Sequence, residues 1–210
     1  IAINALSEPN GLNGEKYLEK IIQLPLELPP PDELSFRSMF YRELNKIIGD
    51  IPDDRFDQVY WEKIYWKGLD RLISTPRNII RLMNTLSITY PMVKGEVNPI
   101  DFIALESIKV YCPLIYNSIF TKSQMFIGPI DKYGISASSL EDHKKFYDLL
   151  IEQIDEEIRD PIKQLLMSMF PKIKNVYSNN IDSFGARAEC RKQLRICSSD
   201  IFPIYFRLTI

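Results

Sequence analysis

The residues of this 210-residue chain that are best suited to chemistry are two arginines at the start of a predicted helix, Arg77 and Arg81. Thr75 is a residue type that caps helices, and Pro76 suits the first helical position, where no backbone N–H is needed. Arg77 therefore lies in the first turn, on the same face as Arg81 four residues later. A cation in that turn is unusual, because the N-terminus of a helix is the positive end of its dipole.

Two interpretations of Arg77 are open. Free backbone N–H groups with an arginine beside them form an anion site, and phosphate is the usual anion. Alternatively, the guanidinium pairs with a nearby carboxylate such as Asp70 or Glu62. The local pattern favours the ion pair.

Other chemical motifs are absent from the sequence. It contains no GxxxxGK[ST] loop, dinucleotide glycine fingerprint, HExxH motif or nucleophile elbow. The single histidine, His143, is flanked by lysines and is expected at the surface. Cys190 and Cys197 could share one helical side but lack the further ligands of a zinc site. Three cysteines without paired spacing indicate a reducing compartment, and the chain by itself is not expected to be a complete enzyme.

The charge is nearly balanced overall but uneven along the chain. A net charge of −2 argues against nucleic-acid binding, which requires a basic surplus. Residues 140–160 hold eight acids and three bases, whereas residues 171–195 hold six bases and two acids. One functional hypothesis is therefore a non-enzymatic interaction module, in which an acidic helix at 140–160 and a basic helix at 187–195 bind partner proteins or each other. No apolar run approaches the roughly 18 residues of a membrane span.

The periodicity predicts a mainly helical chain. Alternating apolar residues predict one strand at Leu24–Leu28, which the prolines at 29–31 end. Asn98 and Pro99 mark a helix start of the same kind as Thr75 and Pro76. The predicted helices span 15–22, 35–48, 54–73, 76–90, 98–112, 114–120, 138–157, 160–170 and 186–196. Pro31-Asp32 is an alternative start for the helix that ends at Ile48. Asp160-Pro161 starts the helix at 160–170, and Pro171–Ser183 is expected to be irregular.

Three separated stretches together resemble the KAP family of P-loop NTPases, within the STAND/AAA-like ATPases. They follow the order of the family along nearly the whole chain. The stretches are Gly14–Leu26 running into Leu28–Pro31; Thr75–Asn84 with Tyr90-Pro91, Lys94–Asn98, Asp101 and Ala104–Glu106; and Gln193–Cys197 with Tyr205–Arg207.

The resemblance implies three regions. Residues 1–32 would be the C-terminal remnant of the α/β nucleotide-binding core, with Leu24–Leu28 as its last strand. Residues 33–95 would form a three-helix, lid-like bundle, and residues 96–210 a C-terminal helical region. In such ATPases the lid helix supplies a sensor arginine that reaches the γ-phosphate of ATP. Arg77 matches that position, with Arg81 one turn further on, and the resemblance thus favours the anion site over the ion pair.

The resemblance also implies a function that depends on more than this sequence. The intact protein is expected to hydrolyse ATP with Mg²⁺, but the Walker A loop and Walker B acids are not in this sequence. The first residue is Ile rather than Met, so we expect a fragment that is inactive alone and holds no nucleotide. Family members often carry membrane segments upstream, and some act in phage exclusion. The expected location is cytoplasmic, with membrane association only through segments outside this chain.

Overall fold

The computed structural model describes residues 32–52, 55–128, 137–178 and 185–208, and regular structure within these ranges is entirely helical. The predicted mainly helical fold is therefore confirmed. The predicted helix at 15–22 and the predicted strand Leu24–Leu28 lie outside the described residues. Residues Glu33–Ile210 form one compact unit, and their division at residue 95 into a lid and a C-terminal region stays a prediction.

The described residues contain α-helices together with one π-helical turn and one 3₁₀ turn. In chain order they are α1 (Glu33–Ile48), α2 (Gln58–Ile64), a π-helical turn (Tyr65–Leu69), α3 (Asp70–Leu72), α4 (Pro76–Thr89), a 3₁₀ turn (Tyr90–Met92), α5 (Pro99–Tyr111), α6 (Pro113–Thr121), α7 (Ser123–Phe126), α8 (Ala137–Glu152), α9 (Glu156–Met169), α10 (Pro171–Ser178), α11 (Gly185–Lys192) and α12 (Phe202–Tyr205).

Helix α5 is the centre of the core. Every residue from Pro99 to Ile108 is buried, whereas α4 buries only one apolar stripe. A helix that is buried on all sides must be covered by other helices. Helices α2, α4, α6 and α9 contact α5. Any polar side chain on α5 therefore has to find its partner inside the protein.

The π-helical turn between α2 and α3 is explained by close packing. The Asp70 N–H donates to the Tyr65 carbonyl, five residues earlier, so the helix is locally wider than an α-helix. Gly68 in this turn contacts α9, and a Cβ atom at residue 68 would lie 2.3 Å from Cγ of Leu165. The absence of a side chain at Gly68 is what lets α9 approach the turn.

Two predicted boundaries on the C-terminal side are wrong. Asp160-Pro161 does not start a helix, because α9 begins at Glu156 and contains Pro161. The turn before α9 is stabilised instead by Arg159, whose guanidinium donates to the carbonyls of Ile154 and Glu152 at 3.0 Å each. The segment after Pro171 is helical as α10 rather than irregular. Its buried Ile173 and Val176 show that packing determines this helix.

The predicted basic helix is also shorter than expected. Helix α11 ends at Lys192, and residues 193–201 continue as a series of turns. Within the described ranges, none of the helices combines the length and the apolar character that crossing a bilayer requires.

Candidate functional site

The first predicted site residue, Arg77, lies where the sequence places it. Thr75 caps α4 by accepting a hydrogen bond from the Asn78 N–H at 3.2 Å, and Pro76 occupies the first turn. The side chain of Arg77 is exposed, and within the described residues it has no hydrogen-bond or ion-pair partner. Its guanidinium therefore projects into solvent from the N-terminal turn of a capped helix.

Arg81 differs from Arg77 in having a contact inside the protein. Its Nη2 lies 3.4 Å from the Val110 carbonyl, at the C-terminal end of α5. A cation is favourable there, because the last carbonyls of a helix carry partial negative charge. The hydroxyl of Tyr111 donates to the Asn78 carbonyl at 2.7 Å and joins the same two helices. Arg81 thus helps hold α4 against α5.

The two acids that could have paired with Arg77 have other partners. Asp70 accepts two hydrogen bonds from Arg37, at 2.9 and 2.8 Å, and this ion pair lowers the pKa of the Asp70 carboxyl. Glu62 accepts a hydrogen bond from Gln58 at 3.4 Å. The alternative ion pair of Arg77 with Asp70 or Glu62 is therefore not formed.

An open cleft of about 300 Å³ is lined by residues that come before α4 in the sequence. Its lining includes the Arg37–Asp70 pair, Arg71 and Ser74. Trp66 borders the same arginine, with the Arg37 guanidinium 5.1 Å from its ring centroid. The nearby aromatic residues Trp61 and Tyr65 are buried, whereas Trp66 is 54% exposed.

A second polar centre, which the sequence analysis did not identify, lies inside the helical unit around Arg195. The Arg195 Nε donates to Oδ2 of Asp101 at 2.6 Å, with side-chain exposures of 12% and 0%. Its Nη2 donates to the Tyr60 hydroxyl at 2.7 Å and to the Ser168 carbonyl at 3.1 Å. Tyr60 in turn donates to Oδ1 of Asp101, and the Ile196 N–H donates to Oδ2 at 2.9 Å. We call these residues the Arg195 junction.

The backbone on both sides of the Arg195 junction is tightly determined. Helix α11 ends with the Arg195 N–H bonded to the Cys190 carbonyl at 2.8 Å and the Leu194 N–H bonded to the Arg191 carbonyl at 3.1 Å. This is a Schellman motif, and Leu194 at φ 54° occupies the left-handed position that normally favours glycine. The Leu194 carbonyl accepts from the Asn98 N–H at 2.9 Å and from the Tyr205 hydroxyl at 2.8 Å.

The Arg195 junction connects segments that are far apart in sequence. It joins α2 through Tyr60, α5 through Asp101, α9 through the Ser168 carbonyl, and the turn after α11. Burial next to Asp101 raises the pKa of the Tyr60 hydroxyl well above its usual value, so Tyr60 stays protonated as a hydrogen-bond donor. One signal was available in the sequence, since Asp101 is an acid in the stretch Pro99–Leu105, whose other residues are apolar, and so requires an internal partner.

The ion pairs described for Asp160, Arg191 and Arg195, which lie in the two unevenly charged segments, are made with other parts of the chain. Arg195 is buried at the junction, and Arg191 pairs with Asp200 at 2.6 Å. In the acidic segment, Asp148 accepts from the Tyr177 hydroxyl at 2.6 Å and Asp160 pairs with Arg71 at 3.1 Å. Because Arg195 is needed inside the protein, it is not available to an external acidic partner.

Metal ligands are not assembled in the part of the chain that the structure describes. No group of three or more histidine, cysteine, aspartate or glutamate side chains lies close enough there to hold an ion. The described acids therefore do not fit a Mg²⁺ site, whereas Arg77 and Arg81 have the charge that a phosphate requires.

Comparisons with known proteins match part of the chain. Residues 2–93 match the model of the KAP family P-loop domain, and this range includes Arg77 and Arg81. The Phage T7 exclusion protein of Escherichia coli (strain K12) is 32% identical to the chain over 111 residues. That alignment covers 50% of this chain and 14% of the relative. No solved structure matches the chain. The predicted resemblance to the KAP family of P-loop NTPases is thus confirmed, with residues 2–93 as the matching part.

Proposed function

We propose that this chain is the sensor and lid part of a KAP-type P-loop ATPase, together with its C-terminal helical region, and that Arg77 senses the γ-phosphate of ATP. The observation that carries the proposal is the state of the Arg77 side chain. It is exposed, has no partner among the described residues, and lies in the first turn of a capped helix within the family match. A guanidinium held this way can donate two hydrogen bonds to a phosphate without first breaking an ion pair.

The packing of α4 supports a role in transmitting the nucleotide state. Ile79, Leu82, Met83 and Leu86 are buried, and Asn78 donates to the Leu72 carbonyl at 3.3 Å. A force exerted on Arg77 by a bound phosphate would therefore act on a helix that is packed against the core rather than on a mobile loop. Loss of the γ-phosphate on hydrolysis would remove the contact to Arg77 and allow the helix to move relative to the nucleotide.

Arg81 has a supporting part in this proposal. Its contact with the Val110 carbonyl draws its guanidinium toward α5, so we assign it the positioning of α4 rather than the primary phosphate contact. The described residues supply neither a phosphate-binding loop nor Mg²⁺ ligands. In the proposed ATPase these groups belong to the nucleotide-binding core, and we derive no step of hydrolysis through them.

The experiment measures ATP turnover in a protein that joins this chain to a KAP-type core with Walker A and Walker B motifs. We expect Arg77→Ala to lower kcat by about tenfold or more, because an arginine that contacts the γ-phosphate can raise kcat by about 10³-fold or more. Arg81→Ala should have a smaller effect. Arg42→Ala is the matched control, because Arg42 is also exposed and pairs only with its neighbour Glu43 among the described residues.

The same variants are made in the 210-residue chain to separate sensing from folding. Urea unfolding of the Arg77→Ala chain should follow that of the original chain, since the Arg77 side chain has no described internal contact. Turnover in Arg77→Ala equal to that in Arg42→Ala would overturn the proposal. A loss of turnover accompanied by an equal loss of stability would also overturn it, because the effect would then be structural.

A further inference from the structure

The Arg77 side chain depends on its own backbone for its direction. Its guanidinium is exposed and has no hydrogen-bond or ion-pair partner among the described residues. A long side chain of this kind reaches a phosphate in a constant geometry only where its Cα atom is held in place. The contacts that fix the first turn of α4 therefore determine where Arg77 can place its charge.

In the described structure, contacts from three sides converge on the next residue, Asn78. Its N–H donates to the Thr75 hydroxyl at 3.2 Å, which closes the cap of α4. Its side-chain amide donates to the Leu72 carbonyl at 3.3 Å. Helix α3 ends at Leu72, and a carbonyl at a helix end lacks a partner within its own helix. Asn78 thus joins the start of α4 to the end of the preceding helix.

The third contact of Asn78 comes from the C-terminal end of α5. The Tyr111 hydroxyl donates to the Asn78 carbonyl at 2.7 Å. Burial raises the pKa of the Tyr111 hydroxyl, so it stays protonated and can donate. Tyr111 is the last residue of the helix whose residues from Pro99 to Ile108 are all buried. The first turn of α4 is therefore attached through Tyr111 to the central helix of the core.

The polar side chains in the later turns of α4 make a different kind of contact. The hydroxyls of Thr85, Ser87 and Thr89 donate to carbonyls of α4 itself, three or four residues earlier. Such bonds do not join the helix to its neighbours. The bonds made by the Asn78 side chain and carbonyl both leave α4, since one goes to α3 and the other comes from α5. This polar clamp lies at the turn that carries Arg77.

We propose that Asn78 and Tyr111 are positioning residues for Arg77, which set the direction of its guanidinium toward the γ-phosphate. The inference rests on the proposed function, because it requires Arg77 to be the sensor. Neither positioning residue contacts the nucleotide: Tyr111 holds the Asn78 carbonyl, and Asn78 holds the turn that carries Arg77. A misplacement of about 1 Å at a reacting group can cost up to about 10²-fold in rate, so a loosened turn should slow hydrolysis.

Hydrogen exchange of the 210-residue chain gives the first test. Tyr111→Phe removes only the hydroxyl, and the backbone N–H groups of residues 78–80 should exchange about threefold faster or more, because the turn loses a hydrogen bond. Tyr147→Phe is the matched control. The Tyr147 hydroxyl also donates to a carbonyl of another helix, that of Met125, but both residues lie outside α4 and α5. The control should leave the exchange of residues 78–80 unchanged.

ATP turnover in the protein joined to a KAP-type core gives the second test. Tyr111→Phe and Asn78→Ala should each lower kcat by about threefold or more with a smaller change in KM. The reason is that a displaced Arg77 loses its contact to the transferred phosphate, whereas the nucleotide as a whole stays bound. Tyr147→Phe should keep the original kcat. In an Arg77→Ala background, Tyr111→Phe should have no further effect, since the residue that it positions is gone.

The outcomes separate this inference from the proposed function. Unchanged turnover in Arg77→Ala would overturn both. A loss in Arg77→Ala, together with equal turnover in Tyr111→Phe and Tyr147→Phe, would overturn the positioning role alone. An equal loss from Tyr111→Phe with and without Arg77 would also overturn it, because Tyr111 would then act by another route. Unchanged hydrogen exchange at residues 78–80 in Tyr111→Phe would refute the claim that the hydroxyl holds the turn.

Discussion

The Arg195 junction provides the sharpest test of how the helical unit is held together. Arg195→Met keeps a side chain of similar length but removes the guanidinium, with its hydrogen bonds to Asp101, Tyr60 and the Ser168 carbonyl. Asp101, which is fully buried, is then left without its cationic partner. Removing one partner of a buried ion pair costs about 3–5 kcal/mol.

The structure places the expected loss near the lower end of that range. Asp101 retains two donors after the substitution, the Tyr60 hydroxyl and the Ile196 N–H. We therefore expect a loss of about 3 kcal/mol in the free energy of unfolding. With a urea dependence of about 1–3 kcal/mol per molar, the midpoint should fall by roughly 1–3 M. Fluorescence of the buried Trp61, next to Tyr60 in α2, follows the transition.

The control and the double variant make the reasoning refutable. Arg207→Met removes an exposed ion pair in which the Arg207 guanidinium donates two hydrogen bonds to Glu96. It should shift the urea midpoint only slightly. Combining Arg195→Met with Asp101→Asn removes the stranded charge, so the double variant should lose less than the sum of the two single losses. A loss in Arg195→Met no larger than in Arg207→Met, or strict additivity in the double variant, would refute the account of a buried ion pair.

Two further predictions concern other buried contacts. Gly68→Ala should lower the free energy of unfolding in urea by about 1–3 kcal/mol despite alanine's better helix propensity, because the new Cβ would lie 2.3 Å from Cγ of Leu165. Combining Gly68→Ala with Leu165→Ala should cost less stability than the sum of the two single losses. A Gly68→Ala protein as stable as the original would contradict the packing argument. Burial raises the pKa of the Glu106 carboxyl above its ordinary 4.5, and Oε2 has no hydrogen-bond partner in the described structure, so protonation stabilises the fold. The stability that protonation contributes is complete below about pH 4.5 and is lost as pH rises through the raised value. Relative to Glu106→Gln, the original chain should therefore lose stability over that window, and a pH-independent difference would be the contrary result.

Features set by neighbouring residues could be predicted from the sequence. The starts of α4 and α5 are where Thr75-Pro76 and Asn98-Pro99 place them, since a cap hydrogen bond and a proline act within one turn. The exposure of Arg77 was one of two outcomes that the pattern allowed. In the structure Asp70 instead pairs with Arg37, 33 positions earlier in the sequence, and Arg77 is left exposed.

The tertiary structure alone decided the features that depend on distant contacts. Helix α11 ends at Lys192 because the following turn places Arg195 against Asp101, 94 residues earlier, and no local pattern records that pairing. Pro161 lies inside α9, although the sequence predicts a helix start there, and Pro171 begins a helix where the sequence predicts irregular structure. Capping and periodicity depend on residues within a few positions of each other and can therefore be predicted from the sequence. Buried charge pairs and helix ends depend on the free energy of the whole packed core, to which distant residues contribute.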